Sequence, residues 1–363
     1  MTIDKENIPI LRSFNQQIAA SGFNTAKEIA GWMGAVQAQD YNMVKWALGI
    51  RLKNSTENEI NAEIDAGSII RTHLLRPTWH IVSSDDIYWI SDLTSSRIRS
   101  AVKFRDRQLG LTESIFRKCN RLFAKTLRDG NHLTREELIE ELINAGIGVD
   151  NNRAYHIFLR AELDGIICSG KQKNGKPTYA ILEEWVPVKN RKNKDEALRE
   201  LALRYFSSRG PATVQDFSWW SGLTLGNSRL ALELARPNLI SDTTENMTYW
   251  FVDPLNNQSP DNQDAFLLPA FDEFLISYRD RTASLSMVHN KKTISNNGMF
   301  YPAVLWGGQI IGTWKRDIKE NHIILTLNLF KDFRIASDKI LRKAISRYSE
   351  FYNKPVRNPD HFQ

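Results

Sequence analysis

The chain is poor in cysteine, with only Cys119 and Cys168 among 363 residues. Two cysteines cannot supply a disulfide framework or a cysteine-rich zinc site, so a reducing, cytoplasmic setting is expected. No run approaches ~18 consecutive apolar residues, which excludes a transmembrane helix and leaves a membrane partner unexpected. The opening stretch, MTIDKENIPI, lacks the basic-then-apolar pattern of a signal peptide. Walker loops, GxGxxG, HExxH, GxSxG and paired CxxC are all missing. ATP, NAD and structural zinc therefore have no support, and neither cofactor nor metal is expected. The seven histidines are dispersed; His73 and His80, with Pro77 between them, suit a hairpin better than a metal clamp.

Charge is present but mild overall: 48 Lys and Arg stand against 42 Asp and Glu, a formal +6. Its placement is more telling than its size. Arg97, Arg99, Lys103, Arg105, Arg107, Arg117, Lys118, Arg121, Lys125 and Arg128 fall in one segment, opposed only by Asp106 and Glu113. Ile115, Cys119, Leu122 and Thr126 recur there at helical spacing, with Phe116, Phe123 and Leu127 widening the stripe. Arg117, Arg121, Lys125 and Arg128 fall on the other face. A solvated helix face is one reading, and a phosphate-contacting surface is the other.

A degenerate repeat organises the first 255 residues. NAEIDAGSII from Asn61, RAELDGII from Arg160 and LELARPNLI from Leu232 each read as a helix end, a break and an apolar strand. Each continues through a polar loop into a second strand, the pattern of half a winged helix. The upstream halves fit: Thr134 and Glu137 form a capping box, and KQKNGKP from Lys171 is a basic wing. Helices are expected near Ile8–Ser21, Thr25–Val36 and Glu57–Ala66 in the first copy, and near Asp195–Ser208, Val214 and Leu225–Ala235 in the third. The fold class is α+β: three tandem winged-helix units, a C-terminal β-rich, barrel-like region and a closing helix, Ser337–Tyr352. Boundaries are expected at 1–112, 113–187, 188–255 and 256–353, with a surface loop NNQSPDNQD from Asn256 and a mobile tail over 354–363. Strands are expected at Ala265–Leu268, Phe274–Tyr278, Phe300–Leu305, Gln309–Trp314 and His322–Leu329, with Gly307-Gly308 as a hairpin turn.

The unusual segment is Val36-Gln37-Ala38-Gln39-Asp40-Tyr41. Ile29, Met33 and Val36 read as the buried stripe of the preceding helix. If that helix continued, Gln37 and Gln39 would diverge by roughly 200°. If the chain turns extended, both carboxamides face one side and Ala38 turns inward; alternatively, the glutamines merely satisfy the helix end. A second polar set lies in the first hairpin, where Arg71 and His73 share one strand face and Thr78 and His80 another, with Arg76 at the turn. Its bland alternative is buried histidines bonded to backbone.

Four collinear stretches then bear on identity: VQAQDY from Val36, RTHLLRPTWH from Arg71, LLPAFDEFLISYRDR from Leu267, and Val304 through GTWKR at Gly312. Together they resemble the AlkZ/YcaQ-type winged-helix DNA glycosylases over nearly the whole chain. The resemblance implies tandem winged helices with a β-rich C-terminal part. It also implies excision of alkylated bases, including bases tied into interstrand crosslinks. The active-site signature of that family, Gln-x-Gln or Gln-x-Asp, falls on Gln37 and Gln39 as catalytic residues. Beside the resemblance, the placement of Asp40, His73 and His80 makes them candidates for catalytic support. Asp40 serves equally as a helix cap, which is the favoured reading. A duplex-probing β-hairpin is assigned to the strands around Gly307-Gly308.

A carboxamide takes no proton at neutral pH, but it positions water and stabilises developing charge. A purine alkylated at N7 or N3 is already cationic and leaves without a strong acid. No lysine beside the motif suits a Schiff-base lyase, so a monofunctional, monomeric hydrolase leaving an abasic site is expected. Its DNA contacts are expected at Arg71, Arg76, Arg97, Arg99, Lys103, Arg105, Arg117, Arg121, Lys125, Lys171 and Lys173. The partner is duplex DNA carrying alkylated or crosslinked bases. The rival expectations are a non-enzymatic DNA-binding regulator and a protein-contacting scaffold.

Overall fold

Side-chain caps set where many helices begin. Thr25, Thr56, Thr134, Asn193 and Thr213 each close a capping box with the residue three positions on. Each such cap is worth about 1 kcal/mol. The computed structural model describes residues 4–252, 264–331 and 338–357. After helix α1 (Ile8–Asn15) it shows one plan three times.

The first repeat runs α2 (Ala26–Met33), β1 (Val36–Gln37), α3 (Tyr41–Gly49), α4 (Glu57–Asp65) and the hairpin β2 (Ile69–Leu74) and β3 (Thr78–Ser83). A 22-residue helix, α5 (Ile87–Gln108), leads out of it. The second runs α6 (Glu113–Thr126), β4 (Leu133–Thr134), α7 (Arg135–Asn144), α8 (Arg153–Leu163), β5 (Ile167–Lys173) and β6 (Lys176–Ile181), closed by α9 (Leu182–Trp185). The third runs α10 (Lys194–Arg209), α11 (Val214–Ser221), α12 (Leu225–Ala235), β7 (Ile240–Thr244) and β8 (Met247–Phe251). In the first two repeats the short strand pairs with the second hairpin strand, giving the orders β1-β3-β2 and β4-β6-β5. In the third, a single bridge from Ala212 to Trp250 takes its place.

The C-terminal part holds β9 (Ala265–Leu268), α13 (Glu273–Ile276), α14 (Asn290–Thr293), β10 (Ala303–Trp306), β11 (Gln309–Ile318), β12 (Ile323–Leu329), α15 (Asp338–Tyr352) and β13 (Val356–Arg357). Its sheet has the order β13-β12-β11-β10-β9, and among the described residues its edge strands are not bonded to each other. Val356 pairs in parallel with Ile323, so the start of the expected tail joins a sheet edge. Residues 358–363 and nearly all of the expected NNQSPDNQD loop lie outside the described residues.

Two expectations fail locally. Phe274–Tyr278 is not a strand: Asp272 caps the turn at Phe274 N (2.8 Å) and the chain coils as α13. A short apolar run fits a buried helix turn as well as a strand. Helix α2 stops at Met33, so Val36 belongs to a strand and not to the helical stripe. Helices α3 and α5 are additions to the expected elements.

The cores do not follow the repeats. One joins α2, α3 and α4 to the C-terminal sheet and α15; Trp46 on α3 donates to Leu267 O at 2.6 Å across it. A second joins β2 and the start of α5 to α10, α11 and α12. A third lies within residues 109–181. The β2–β3 hairpin is therefore packed on both faces, with Ile69 and Ile81 in one core and Ile70, Leu74 and Val82 in the other. It is no solvent-facing wing, and only its turn reaches the surface. Among the described residues no helix is long and apolar enough to cross a membrane.

Candidate active site

Gly34 ends α2 with φ +72°, a conformation free of strain only for glycine. The chain leaves it extended. Val36 and Gln37 pair with Ile81 and His80, and Ala38 N donates to Trp79 O at 2.7 Å. Opposed residues of an antiparallel pair share a face. Gln37, His80 and Thr72 therefore line up across the three strands.

Gln37 is buried, and its Oε1 accepts from Arg76 Nη2 at 3.2 Å and Thr78 Oγ1 at 3.5 Å. With the oxygen held, the free function of this carboxamide is its NH2 donor. Gln39 is exposed and makes no side-chain hydrogen bond among the described residues. The extended turn and the inward Ala38 match expectation, yet the carboxamides are not equivalent: one is anchored, the other free. Asp40 caps α3, accepting from Asn42 N (3.0 Å) and Met43 N (2.9 Å).

Beneath Gln37 lies an ion pair absent from the expected site. Glu273 Oε1 accepts from Gln37 N at 2.7 Å. Its Oε2 accepts from Arg209 Nη2 (2.7 Å), Trp220 Nε1 (3.1 Å) and Ser277 Oγ (2.5 Å). Arg209 also donates to Met33 O and Ala35 O, at 2.7 and 2.8 Å. The backbone on both sides of Gly34 is thus fastened to α10 and α13. Burial works against the Glu273 charge, but Arg209 and the hydrogen bonds outweigh it and hold the carboxyl at about 2. With Oε2 crowded by donors and Oε1 holding Gln37 N, it positions Gln37, and a carboxyl held this low is a poor base.

The histidines are placed as structural groups. Burial, aided by the adjacent Arg76 cation, pushes His80 down to about 3, and its Nδ1 donates to Thr78 O at 3.0 Å. It is neutral at physiological pH and no acid. His73 lies on the opposite hairpin face, bonded through Nδ1 to Glu162 Oε2 at 2.8 Å. Arg71 is also on that face, donating to Ala38 O at 3.0 Å and stacked over Trp79 at 4.2 Å. The expected hairpin set is therefore split: Arg76, Thr78 and His80 join Gln37, while Arg71 and His73 do not. Lys45, one turn into α3, is buried 3.6 Å from Glu57 and offers no exposed amine.

The basic segment divides between two helices. Arg99 binds Asp164 at 2.8 Å, so part of α5 is compensated, whereas Arg97 donates to Gly222 O and keeps its charge. Arg105 reaches Gln108 at 3.1 Å, and Lys118 donates to Ala145 O at 2.8 Å. Lys103, Arg107, Arg117, Arg121, Lys125 and Arg128 are exposed without an ion pair among the described residues. In the second hairpin Lys171 is exposed, whereas Lys173 pairs with Glu137 at 2.5 Å. In the Gly307-Gly308 turn, Gly308 packs on Pro9 and Ile10, with Ile10 N 3.0 Å from where its Cβ would lie. Gly307 beside it is part-exposed, with open space where a Cβ would lie.

The comparisons with known proteins agree with one another. The family described as DNA glycosylase AlkZ-like matches residues 30–351. A curated relative from Streptomyces sahachiroi, named an interstrand DNA cross-link repair glycosylase, is 21% identical over 92% of this chain and 93% of its own. The solved structure of Streptomyces sahachiroi DNA glycosylase AlkZ superposes with a TM-score of 0.81 at 19% identity, covering 98% of this chain and all of that one.

Proposed function

We propose, on the premise that this chain belongs to the AlkZ-like DNA glycosylase family, that it hydrolyses the N-glycosidic bond of purines alkylated at N7 or N3 in duplex DNA. Bases tied into interstrand crosslinks are included, the substrate named for its Streptomyces relative. The three helix–strand–hairpin repeats are read as winged helices. The observation that carries the reading is the pair of unlike carboxamides, Gln37 fixed by Arg76 and Gln39 free at the surface two residues on.

In the reaction, water adds to C1′ of the sugar as the C–N bond breaks. The bonding electrons pass to the cationic base, neutralising it, and the water proton goes to solvent. The transition state is oxocarbenium-like. The Gln37 NH2 holds the water or an acceptor on the departing base, and Gln39 orients the other partner. The product is an abasic site with the strand intact, since no exposed lysine stands beside the motif. The six unpaired cations of α5, α6 and Arg128 hold the duplex backbone.

Incubating the protein with duplex containing N7-methylguanine, then treating with alkali, tests the chemistry. Strand scission at the lesion only after alkali is expected. Scission no greater than in the protein-free control, with methylated and crosslinked duplexes alike, defeats the reading. The grip on the backbone has its own test. Neutralising Arg117, Arg121 and Lys125 together is expected to flatten the dependence of log K on log salt by roughly 0.9 for each phosphate that these side chains no longer neutralise. An unchanged slope makes α6 a solvated face.

A further inference from the structure

Trp219, on α11, is 43% exposed, an unusual state for so large a ring. It is not loose, because its Nε1 donates to Ile276 O at 3.0 Å. Two guanidinium groups stand beside it, Arg76 at 5.8 Å and Arg281 at 5.5 Å from the ring centroid. Arg76 is the same side chain that holds Gln37 Oε1. One cation therefore links the candidate catalytic carboxamide to an exposed aromatic face.

The ring walls a groove of about 440 Å³, within the range of small-ligand pockets. Arg97 and Arg279 line its edge, Leu225 adds apolar surface, and exposed Gln215 lies one helical turn before Trp219. Arg279 has no side-chain partner among the described residues. The groove is held in place by Gly222, whose φ of +68° ends α11 and whose missing Cβ lets Leu75 O approach. A flat π-face, flanking cations for phosphate and a carboxamide able to read a base edge form a set complementary to one nucleotide.

We infer that Trp219, Gln215, Arg97 and Arg279 form a stacking subsite for a single unpaired nucleotide next to the reacting position. The inference rests on the DNA-glycosylase reading and adds to it what happens beside the lesion. Trp219 lies on the second helix of its repeat, not on the last helix that winged-helix proteins send into the major groove. The subsite therefore reads loss of pairing, not base sequence. Bases opened around a lesion, or left unpaired opposite a new abasic site, occupy it.

The test uses the full chain and two duplexes of one sequence, one fully paired and one carrying a tetrahydrofuran abasic analogue. Wild type is expected to bind the abasic duplex about tenfold more tightly, the scale of one base–aromatic stack. Trp219→Ala is expected to abolish that advantage while keeping affinity for the paired duplex within about twofold. Trp219→Phe, which keeps a stacking face, is expected to retain most of it. An undiminished advantage in Trp219→Ala, or an equal loss on both duplexes, overturns the subsite. Base release by wild type from N7-methylguanine duplex and from crosslinked duplex is measured in parallel. Base release with no Trp219 effect defeats the subsite alone, whereas a Trp219 effect without base release supports the subsite and defeats only the glycosylase reading.

Discussion

Gln37→Ala is expected to lower the rate of base release about a hundredfold while leaving affinity for undamaged duplex unchanged. Removal of one preorganised donor from a reacting centre costs on the order of 10²–10³ in rate. Gln37 is preorganised in that sense, since its oxygen is held by Arg76 and Thr78 and its backbone by Glu273. The alanine variant also leaves Arg76 short of a buried partner, which costs about 1–3 kcal/mol of stability. Gln37→Glu separates the two effects. A carboxylate still accepts from Arg76 and keeps the fold, but it carries no donor. That variant is expected to melt like wild type and to remain slow in single-turnover base release. A fully active Gln37→Glu would show that the NH2 is not what the chemistry uses. Gln39→Ala, at an exposed position, is expected to change stability by less than about 0.5 kcal/mol.

The repeat was legible because its markers are local. Thr134 with Glu137 capped a helix where expected, and Asn174-Gly175, both at positive φ, turned the second hairpin. Helix α5 is not legible in the sequence because its polar, Ser- and Arg-rich face obscures the apolar stripe. The segment around Gln37 stood out because polar residues directly follow an apolar helix. Its partners were another matter. Arg76 and His80 reach it through strand register, and Glu273 lies 236 residues away. Glu273 sat inside a stretch already noted for its resemblance, yet nothing local distinguishes a buried positioning carboxylate from a surface one. The first hairpin misled for a related reason: its burial on both faces is decided by α8, α10 and the C-terminal sheet, not by its own sequence.

Glu273→Gln is expected to destabilise the protein by about 3–5 kcal/mol at neutral pH, because it leaves the buried Arg209 charge without its counter-charge. The pH dependence carries a definite sign. The folded carboxyl sits at about 2, below its ordinary 4.5. Its contribution is therefore complete above pH ~4.5 and is lost as pH falls from there toward 2. Denaturant titrations are expected to show wild type losing stability through that window, and Glu273→Gln losing less. Equal slopes in the two proteins would place the acid-sensitive charge elsewhere. The double variant Arg209→Met with Glu273→Leu then divides folding from function. Replacing a buried ion pair by apolar groups often restores stability. It does not restore the bonds from Arg209 to Met33 O and Ala35 O, or the acceptor for Gln37 N. The double variant is expected to recover most of the lost stability and to stay at least tenfold slow in base release, with its affinity for undamaged duplex intact. A stable double variant with wild-type rates would mean that the ion pair holds the fold together but does not position Gln37. A stable, slow one would mean that Glu273 and Arg209 act on the chemistry through the backbone on either side of Gly34.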